Sequence, residues 1–283
     1  MRLDVKKTYK LFIGGKFPRS ESGRVYELKS HRGEFLANVS KASRKDARDA
    51  VVAARAAQPG WAGATAYNRG QILYRIAEML EGRREQFVSE IKEQTGVSEK
   101  VANLEVDNAI DSWVWHAGWS DKIDSVAGSM NPVSGPFFNI SSNQPTGVVA
   151  AFAPKQSALV GLVNTIAPAI VSGNAIVVVT SEALPLCAIT LTEVLATSDL
   201  PGGVVNVLTG NEEEISPWLA SHQDVNAIDL EGTTDFVDLE IKAAETLKRV
   251  IRRGSHQRLF ARGNLQHILA FMEVKTVWHP KGH

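Results

Sequence analysis

The sequence predicts an α/β fold with a parallel sheet covered by helices on both faces, and three observations predict it. Short apolar runs recur at residues 147–152, 175–179, 204–208 and 227–230. Longer helical patterns separate them at 158–171, 185–196 and 212–221. Turns such as Gly173-Asn174 join one kind of segment to the other. This alternation marks βαβ units, whose strands are apolar throughout because helices shield both faces. Ligands of such sheets sit beyond the carboxyl ends of the strands, so function is sought in the loops after Phe152, Val179, Leu208 and Leu230.

The 283 residues suit one large domain with appendages and are enough to bury a proper core. Thirty-one basic residues balance thirty-one acidic ones, so no bulk field favours nucleic acid or an anionic membrane. No apolar run approaches a bilayer's thickness, and the first residues lack the apolar centre of a secretory signal. The single cysteine, Cys187, excludes an intrachain disulfide and a thiolate metal cluster. A cytoplasmic, soluble protein is expected.

Along the chain, residues 11–17 read as two short strands around Gly14-Gly15, and 24–39 as a second strand region. Ser43 and Asp46 open a helix with Ala47, Val51, Ala54 and Ala57 on one face, and Pro59-Gly60 is expected to end it. Residues 66–94 carry one long amphipathic pattern that breaks at Thr95-Gly96. A third helix, about 98–123, holds Trp113, Trp115 and Trp119 as packing anchors. Residues 134–145 read as a strand outside the main sheet, open to pairing with another chain. Residues 236–250 read as a helix with Leu239, Ala243, Leu247 and Val250 on one side, and 264–271 as a short one. The alternation in 273–278 gives a terminal strand.

Several of these blocks resemble the NAD(P)-dependent aldehyde dehydrogenase superfamily. Phe12-Ile13-Gly14-Gly15-Lys16, Pro145-Thr146-Gly147-Val148-Val149, Gly173-Asn174, Leu200-Pro201-Gly202-Gly203 and Thr209-Gly210 follow in that family's order and spacing. The resemblance implies the Rossmann-like sheet of the family's cofactor domain, with N-terminal helices and an oligomerisation arm made of a hairpin plus the C-terminal strand. It also implies a missing piece. The family inserts a catalytic domain after the helix following the fourth strand, yet here the terminal strand arrives within thirty residues of Val250. The chain is most similar to the shortened second module of tandem aldehyde dehydrogenases, which lacks the nucleophile. Its division is read as a cofactor-type domain, 1–250, including an arm segment at about 134–146, and a C-terminal segment, 251–283.

Aldehyde oxidation of this kind needs a thiolate, oxyanion donors and a general base. Cys187 falls inside an apolar helix and reads as a small core hydrophobe rather than a nucleophile. Where the family has its oxyanion asparagine the loop is Pro154-Lys155-Gln156-Ser157, and Gln156 is a methylene longer. Where the family's general-base glutamate lies the chain has Arg252-Arg253, and a guanidinium accepts no proton near neutral pH. No catalytic residue is therefore assigned.

The family holds the adenosine ribose with a lysine and a glutamate after its second strand; here the lysine is Val179 and only Glu182 remains. The pyrophosphate turn keeps Gly232, Thr233 and Thr234, but Glu231, Asp235 and Asp238 surround it. Acidic residues in a first helical turn are an ordinary cap. They also compete with a phosphate, each repulsion costing on the order of 1 kcal/mol, so binding weakens by roughly one or two decades. No cofactor is expected, NAD(P) being weak at best, with retention through Glu182 and the Thr233-Thr234 turn left open. The histidines have no metal-ligand spacing, His279 and His283 being separated by Pro280 and Gly282, so no metal is assigned. Lys248, Arg249, Arg252, Arg253, Arg258 and Arg262 read as a solvated basic face or a contact for an acidic partner.

The resemblance implies that Phe137, Phe138, Ile140, Val274, Val277 and Trp278 form an arm that docks on a neighbour's catalytic-domain sheet. This chain lacks that sheet, so two copies cannot exchange arms reciprocally. The expected partner is a full-length aldehyde dehydrogenase homologue, or a second copy in a homodimer, with no nucleic acid and no membrane. If the terminal strand folds back on its own molecule and is satisfied there, the case for an obligate companion collapses. A dinucleotide sensor is the alternative, and residual oxidoreductase chemistry through Cys187 the remote third.

Overall fold

A computed structural model describes residues 6–233, 236–252 and 263–282. Strands β1 (Thr8–Tyr9), β2 (Val25–Lys29) and β3 (Phe35–Ser40) make a small sheet ordered β1-β3-β2. The expected Gly-Gly hairpin is a single turn rather than two strands. Ile13 and Lys16 exchange backbone hydrogen bonds at 3.0 Å across Gly14 and Gly15, whose positive φ suits glycine. Beside it, Phe12 exchanges backbone hydrogen bonds with Val207 at 3.0 and 2.8 Å.

Helix α1 (Arg44–Gly63) opens on the reciprocal Ser43–Asp46 capping box. It does not end at Pro59-Gly60. Proline removes one ladder bond, but buried Trp61 donates its indole N–H to the Ile170 carbonyl at 2.7 Å and secures the last turn. The long amphipathic pattern is two helices, α2 (Ala66–Glu81) and α3 (Arg84–Thr95), broken at Gly82-Arg83. The third helix is likewise α4 (Glu99–Trp119) followed by a short α5 (Ile123–Ala127). Trp113 is wholly buried, while Trp115 and Trp119 pack against the core with ring centroids 5.4 Å apart.

Strands β4 (Ser129–Asn131) and β5 (Phe137–Pro145) precede the main sheet. That sheet is built from β6 (Val148–Phe152), α6 (Val160–Val171), β7 (Ala175–Val179), α7 (Leu186–Ala196) and β8 (Val205–Leu208). It continues with α8 (Glu212–Ser221), β9 (Ala227–Asp229), α9 (Phe236–Ala244) and β10 (Arg249–Ile251). The five strands are parallel in the order β10-β9-β6-β7-β8. Alternation in β6 serves two cores. Val148, Ala150 and Phe152 pack with Val51, Leu219 and Leu239 of α1, α8 and α9, whereas Val149 and Ala151 join the cluster of α6 and α7. The chain reverses direction across the sheet on either side of β6, which puts a switch point at its carboxyl end.

Residues 236–250 are not a single helix: α9 stops at Ala244 and β10 follows as a fifth parallel strand. Leu239 and Ala243 face the core, but Leu247 is 93 % exposed at φ 53 in the intervening turn. The division drawn at residue 250 thus falls inside β10.

The chain ends in α10 (Leu265–Ala270) and β11 (Met272–Pro280). β11 pairs antiparallel with β5 from Met272↔Pro145 to Pro280↔Phe137, giving a sheet ordered β11-β5-β4. The two arm segments do come together. The terminal strand is folded back on its own molecule along one whole edge, the outcome named as undoing the case for an obligate companion, and its outer edge alone is left to pair. Its other edge carries no strand among the described residues.

The arm leaves the parallel domain at one polar joint. The Phe271 carbonyl accepts from Thr146 N–H (3.1 Å), Thr146 Oγ1 (2.9 Å) and Asn174 Nδ2 (2.9 Å). The Asn174 Oδ1 accepts the Gly147 N–H at 2.7 Å, and its Nδ2 also reaches Ser172 Oγ at 2.8 Å. Asn174 has no accessible surface, so Asn174→Ala strands buried partners and should cost about 2–4 kcal/mol in urea unfolding. The same variant is expected to speed amide exchange in β11 more than in β7.

Candidate functional site

Sequence reasoning points to the carboxyl ends of β6, β7 and β9, and the chemistry there begins with the loop after β6. Lys155 pairs with Glu212 at 3.2 Å, and Gln156 is exposed. Ser157 is buried and donates its hydroxyl to Glu105 Oε1 of α4 at 2.7 Å. The same oxygen accepts the Leu159 N–H at 2.9 Å and the Val160 N–H at 3.3 Å, while Ser157 Oγ accepts the Gly161 N–H at 2.8 Å. A buried carboxylate therefore occupies the positive end of α6, where it is favourable. Sequence reasoning missed Glu105. Its signal was an acid on the apolar face of α4, between the buried Ala102 and Ala109.

After β7, Thr180 and Ser181 are buried and Glu182 is exposed. The Glu182 carbonyl accepts the Tyr26 hydroxyl at 3.0 Å. Burial, and the Glu182 carboxylate, push the Tyr26 phenol above its ordinary value. Val179, standing for the family's lysine, is buried in the sheet and offers no donor.

After β9, Glu231 N–H donates to Asp229 Oδ1 at 3.1 Å. A Cβ on Gly232 would lie 2.2 Å from the Phe152 carbonyl oxygen and 2.6 Å from that of Ala153. Only glycine fits, because the turn rests directly on the end of β6. Thr233 N–H donates to the Leu230 carbonyl at 3.3 Å. Thr234 and Asp235 lie outside the described residues. In the first turn of α9, Asp238 pairs with Lys242 at 3.7 Å and Val237 is exposed. Glu182 and the Gly232-Thr233 turn thus share one edge of the sheet, on the two sides of β6. No lysine follows β7, and Asp238 lies in the first turn of α9.

Beyond β10, Arg252 donates to the Glu240 carboxylate and stacks over the Phe236 ring at 4.4 Å. Lys248 is buried, and Arg249 lies 3.9 Å from Glu273. The rest of the basic cluster, Arg253, Arg258 and Arg262, lies outside the described residues.

Cys187 sits at the other face of the sheet, wholly buried on α7. Gln94 Nε2 lies 3.8 Å from its sulfur and the Phe87 carbonyl 3.9 Å. Burial, and then the nearby Glu90, raise the thiol well above its ordinary range. Glu90 is itself buried, and one oxygen accepts from Thr190 Oγ1 (2.7 Å), Tyr9 Oη (3.2 Å) and Gln86 Nε2 (3.2 Å).

The arm residues expected to meet a partner are at the surface. Val274 is 69 % exposed and Trp278 57 %, with Phe137, Phe138, Ile140 and Val277 also exposed. The rings of Phe137 and Trp278 meet edge-on at 5.9 Å. Among the described residues no helix is long and apolar enough to cross a membrane.

The profile of the aldehyde dehydrogenase family matches residues 17–255. A putative aldehyde dehydrogenase, DhaS, of Bacillus subtilis is 31% identical over 248 residues, covering 86% of this chain and 50% of that one. Retinal dehydrogenase 2 of Gallus gallus is 31% identical over 259 residues, 88% of this chain and 49% of its own length. Among solved structures, PnpE in complex with nicotinamide adenine dinucleotide superposes with a TM-score of 0.82 at 30% identity, covering 86% of this chain and 50% of that one. The NAD+ complex of an aldehyde dehydrogenase from Bacillus cereus gives 0.81 at 26% identity, over 86% and 50% of the two chains. The chain spans about half the length of the curated relatives it matches. Because such neighbours hold NAD, the expectation that no cofactor binds finds no support in them.

Two measurements check the buried thiol cluster. Cys187 should stay unreactive toward a thiol reagent in the folded protein and titrate as one thiol after unfolding. Burial raises the Glu90 carboxyl above its ordinary 4.5, against hydrogen bonds from Thr190 and Gln86. An acid with a raised folded-state value stabilises the fold most when protonated. Its contribution is full below 4.5 and is lost as pH rises through the folded value. Glu90→Gln keeps an acceptor without the charge, so the stability profile measured by urea unfolding should flatten over that window and rise at neutral pH.

Proposed function

The chain belongs to the aldehyde dehydrogenase family, and we propose that within it this chain is a catalytically inactive subunit that assembles with a complete aldehyde dehydrogenase as a structural or regulatory partner. One observation carries the reading: an apolar arm is exposed, and among the described residues those at the expected catalytic positions are held in structural contacts. Cys187 is wholly buried between α7 and α3, and burial raises its thiol well above the ordinary range. Gln156 lies exposed on a loop tied inward through Ser157 and Glu105. Arg252 engages Glu240 where the family's general base is expected. Only residues 252–264 separate β10 from α10, which leaves no room there for an inserted domain.

The arm supplies the means of assembly. Its sheet ends on the β11 edge, and edge strands with unpaired backbone groups add readily to a neighbouring sheet. Val274, Val277 and Trp278 line that edge and would be buried by such addition. Because β11 is already paired with β5, the companion extends an existing sheet rather than supplying its first partner strand.

A second reading, a dinucleotide-responsive module, is favoured by one observation: Glu182, Gly232 and Thr233 remain at the strand ends of a fold whose neighbours bind NAD. Calorimetric titration with NAD and NADP separates the two, tight binding favouring the sensor. Residual oxidoreductase chemistry requires NADH formation from aldehydes by the isolated chain, lost in Cys187→Ala.

The assembly reading is tested by mixing the chain with complete aldehyde dehydrogenases of its source and following sedimentation. Saturable co-migration is expected, weakened tenfold or more by Val274→Lys with Val277→Lys, since two lysines would be desolvated at the junction. Separate sedimentation at every ratio would overturn it.

A further inference from the structure

The free edge of β11 has a determinable hydrogen-bonding phase. The ladder with β5 is bracketed by Thr146 N–H donating to the Phe271 carbonyl at 3.1 Å and Lys281 N–H donating to the Pro136 carbonyl at 2.8 Å. Both are odd-numbered positions of the C-terminal segment in the register Met272↔Pro145 to Pro280↔Phe137. Antiparallel residues alternate between bonding the partner and facing away from it. The N–H and C=O groups of Val274, Thr276 and Trp278 therefore point outward. Pro280, next in the series, has a carbonyl and no N–H, which ends the outward ladder. Every residue from Glu273 to Pro280 is exposed.

This outward strand is self-complementary in one register. We infer that, in the absence of its larger companion, the chain closes this edge by pairing β11 antiparallel with β11 of a second copy, about a two-fold axis through Thr276. Val274 of one copy then faces Trp278 of the other, and Thr276 faces itself, all in bonded pairs with the outward phase. Glu273 faces His279, and Lys275 faces Val277, on the opposite side of the sheet. Trp278, already edge-on to Phe137, gains Val274 as a second apolar neighbour.

Other registers are poorer for stated reasons. Centring on Lys275 sets that lysine against itself. Centring on Val277 sets Val274 against Pro280, which has no N–H to complete the bonded pair. Centring on Val274 pairs Glu273 with Lys275 but leaves Trp278 beyond the end of the partner's strand. Like charges directly opposite destabilise a sheet, and aromatic–aliphatic pairs stabilise it. The result joins two three-stranded arms into one continuous six-stranded sheet without any exchange of arms into a catalytic domain.

The inference rests on the assembly reading in one respect: the same edge serves both partners, so self-pairing and docking exclude each other. The isolated full chain is expected to show a concentration-dependent monomer–dimer equilibrium in sedimentation. Thr276→Pro deletes an outward N–H while leaving the bonds to β5, and should weaken self-association about tenfold or more with unchanged circular dichroism. Single cysteines give the register. Thr276→Cys should form a disulfide-linked dimer under mild oxidation. Val274→Cys and Trp278→Cys should each fail alone and cross-link when mixed, with buried Cys187 silent throughout. A chain that stays monomeric at its highest soluble concentration overturns the inference, as does cross-linking confined to another register. A monomer that still co-sediments with a complete aldehyde dehydrogenase removes self-pairing and leaves the assembly reading standing. A dimer that ignores the complete enzyme does the reverse.

Discussion

The arm's direction, and with it any role in assembly, depends on the backbone carbonyl of Phe271. Three donors converge on that oxygen: the N–H and hydroxyl of Thr146 and the amide of Asn174. Each belongs to a part of the molecule that must be held together. Thr146 leads from the arm strand β5 into β6, Asn174 precedes β7, and Phe271 precedes β11. The phenyl ring of Phe271 is wholly buried in the larger core cluster, so the polar joint is fixed by an apolar plug. Buried amide contacts of this sort are individually modest, but an unmade one is expensive. The two arm strands therefore leave the domain side by side at a single rigid point.

Four strands of the main sheet were legible because fully buried parallel strands leave a strong mark: β6 and β7 are apolar at every position. β10 escaped because three residues cannot announce a strand against a preceding helix whose period runs on through Leu247 and Val250. Only the left-handed turn at Leu247, which no composition signals, divides them. Pro59 misled in the opposite sense. A proline usually ends a helix, yet the tertiary bond from Trp61 to Ile170 outweighed one missing backbone bond. Of the candidate site, the retained Glu182 and Gly232 were visible by their place in motifs. Glu105 was not, since its role depends on which helix terminus α4 happens to cross.

Glu105 bears on why the strand ends look chemically quiet. A helix N-terminus attracts anions through its free N–H groups and its dipole. At α6 that attraction is satisfied internally, by a carboxylate with two N–H groups and the Ser157 hydroxyl on one oxygen. The loop following β6 is thereby drawn toward α4, while its Lys155 is engaged by Glu212 of α8. The loop that would carry an oxyanion donor is thus committed on both sides to structural contacts. At β9 the Gly232 turn is pressed onto the β6 carbonyls in the same spirit. The polar groups at this edge largely serve the fold itself.

The surface at the other end of the molecule has the opposite character. A soluble protein rarely keeps several large apolar residues exposed on a long edge strand, because such edges recruit other chains. Charged side chains would blunt such an edge, yet β11 carries only Glu273 and Lys275 toward one end, with Pro280 stopping the ladder at the other. Between them lie the exposed side chains of Val274, Val277 and Trp278. The fold spends its buried polar groups on aiming this strand and leaves the strand itself incomplete. On the proposed reading, a segment held so firmly in a pairing-ready geometry would be stabilised by the chain that completes it.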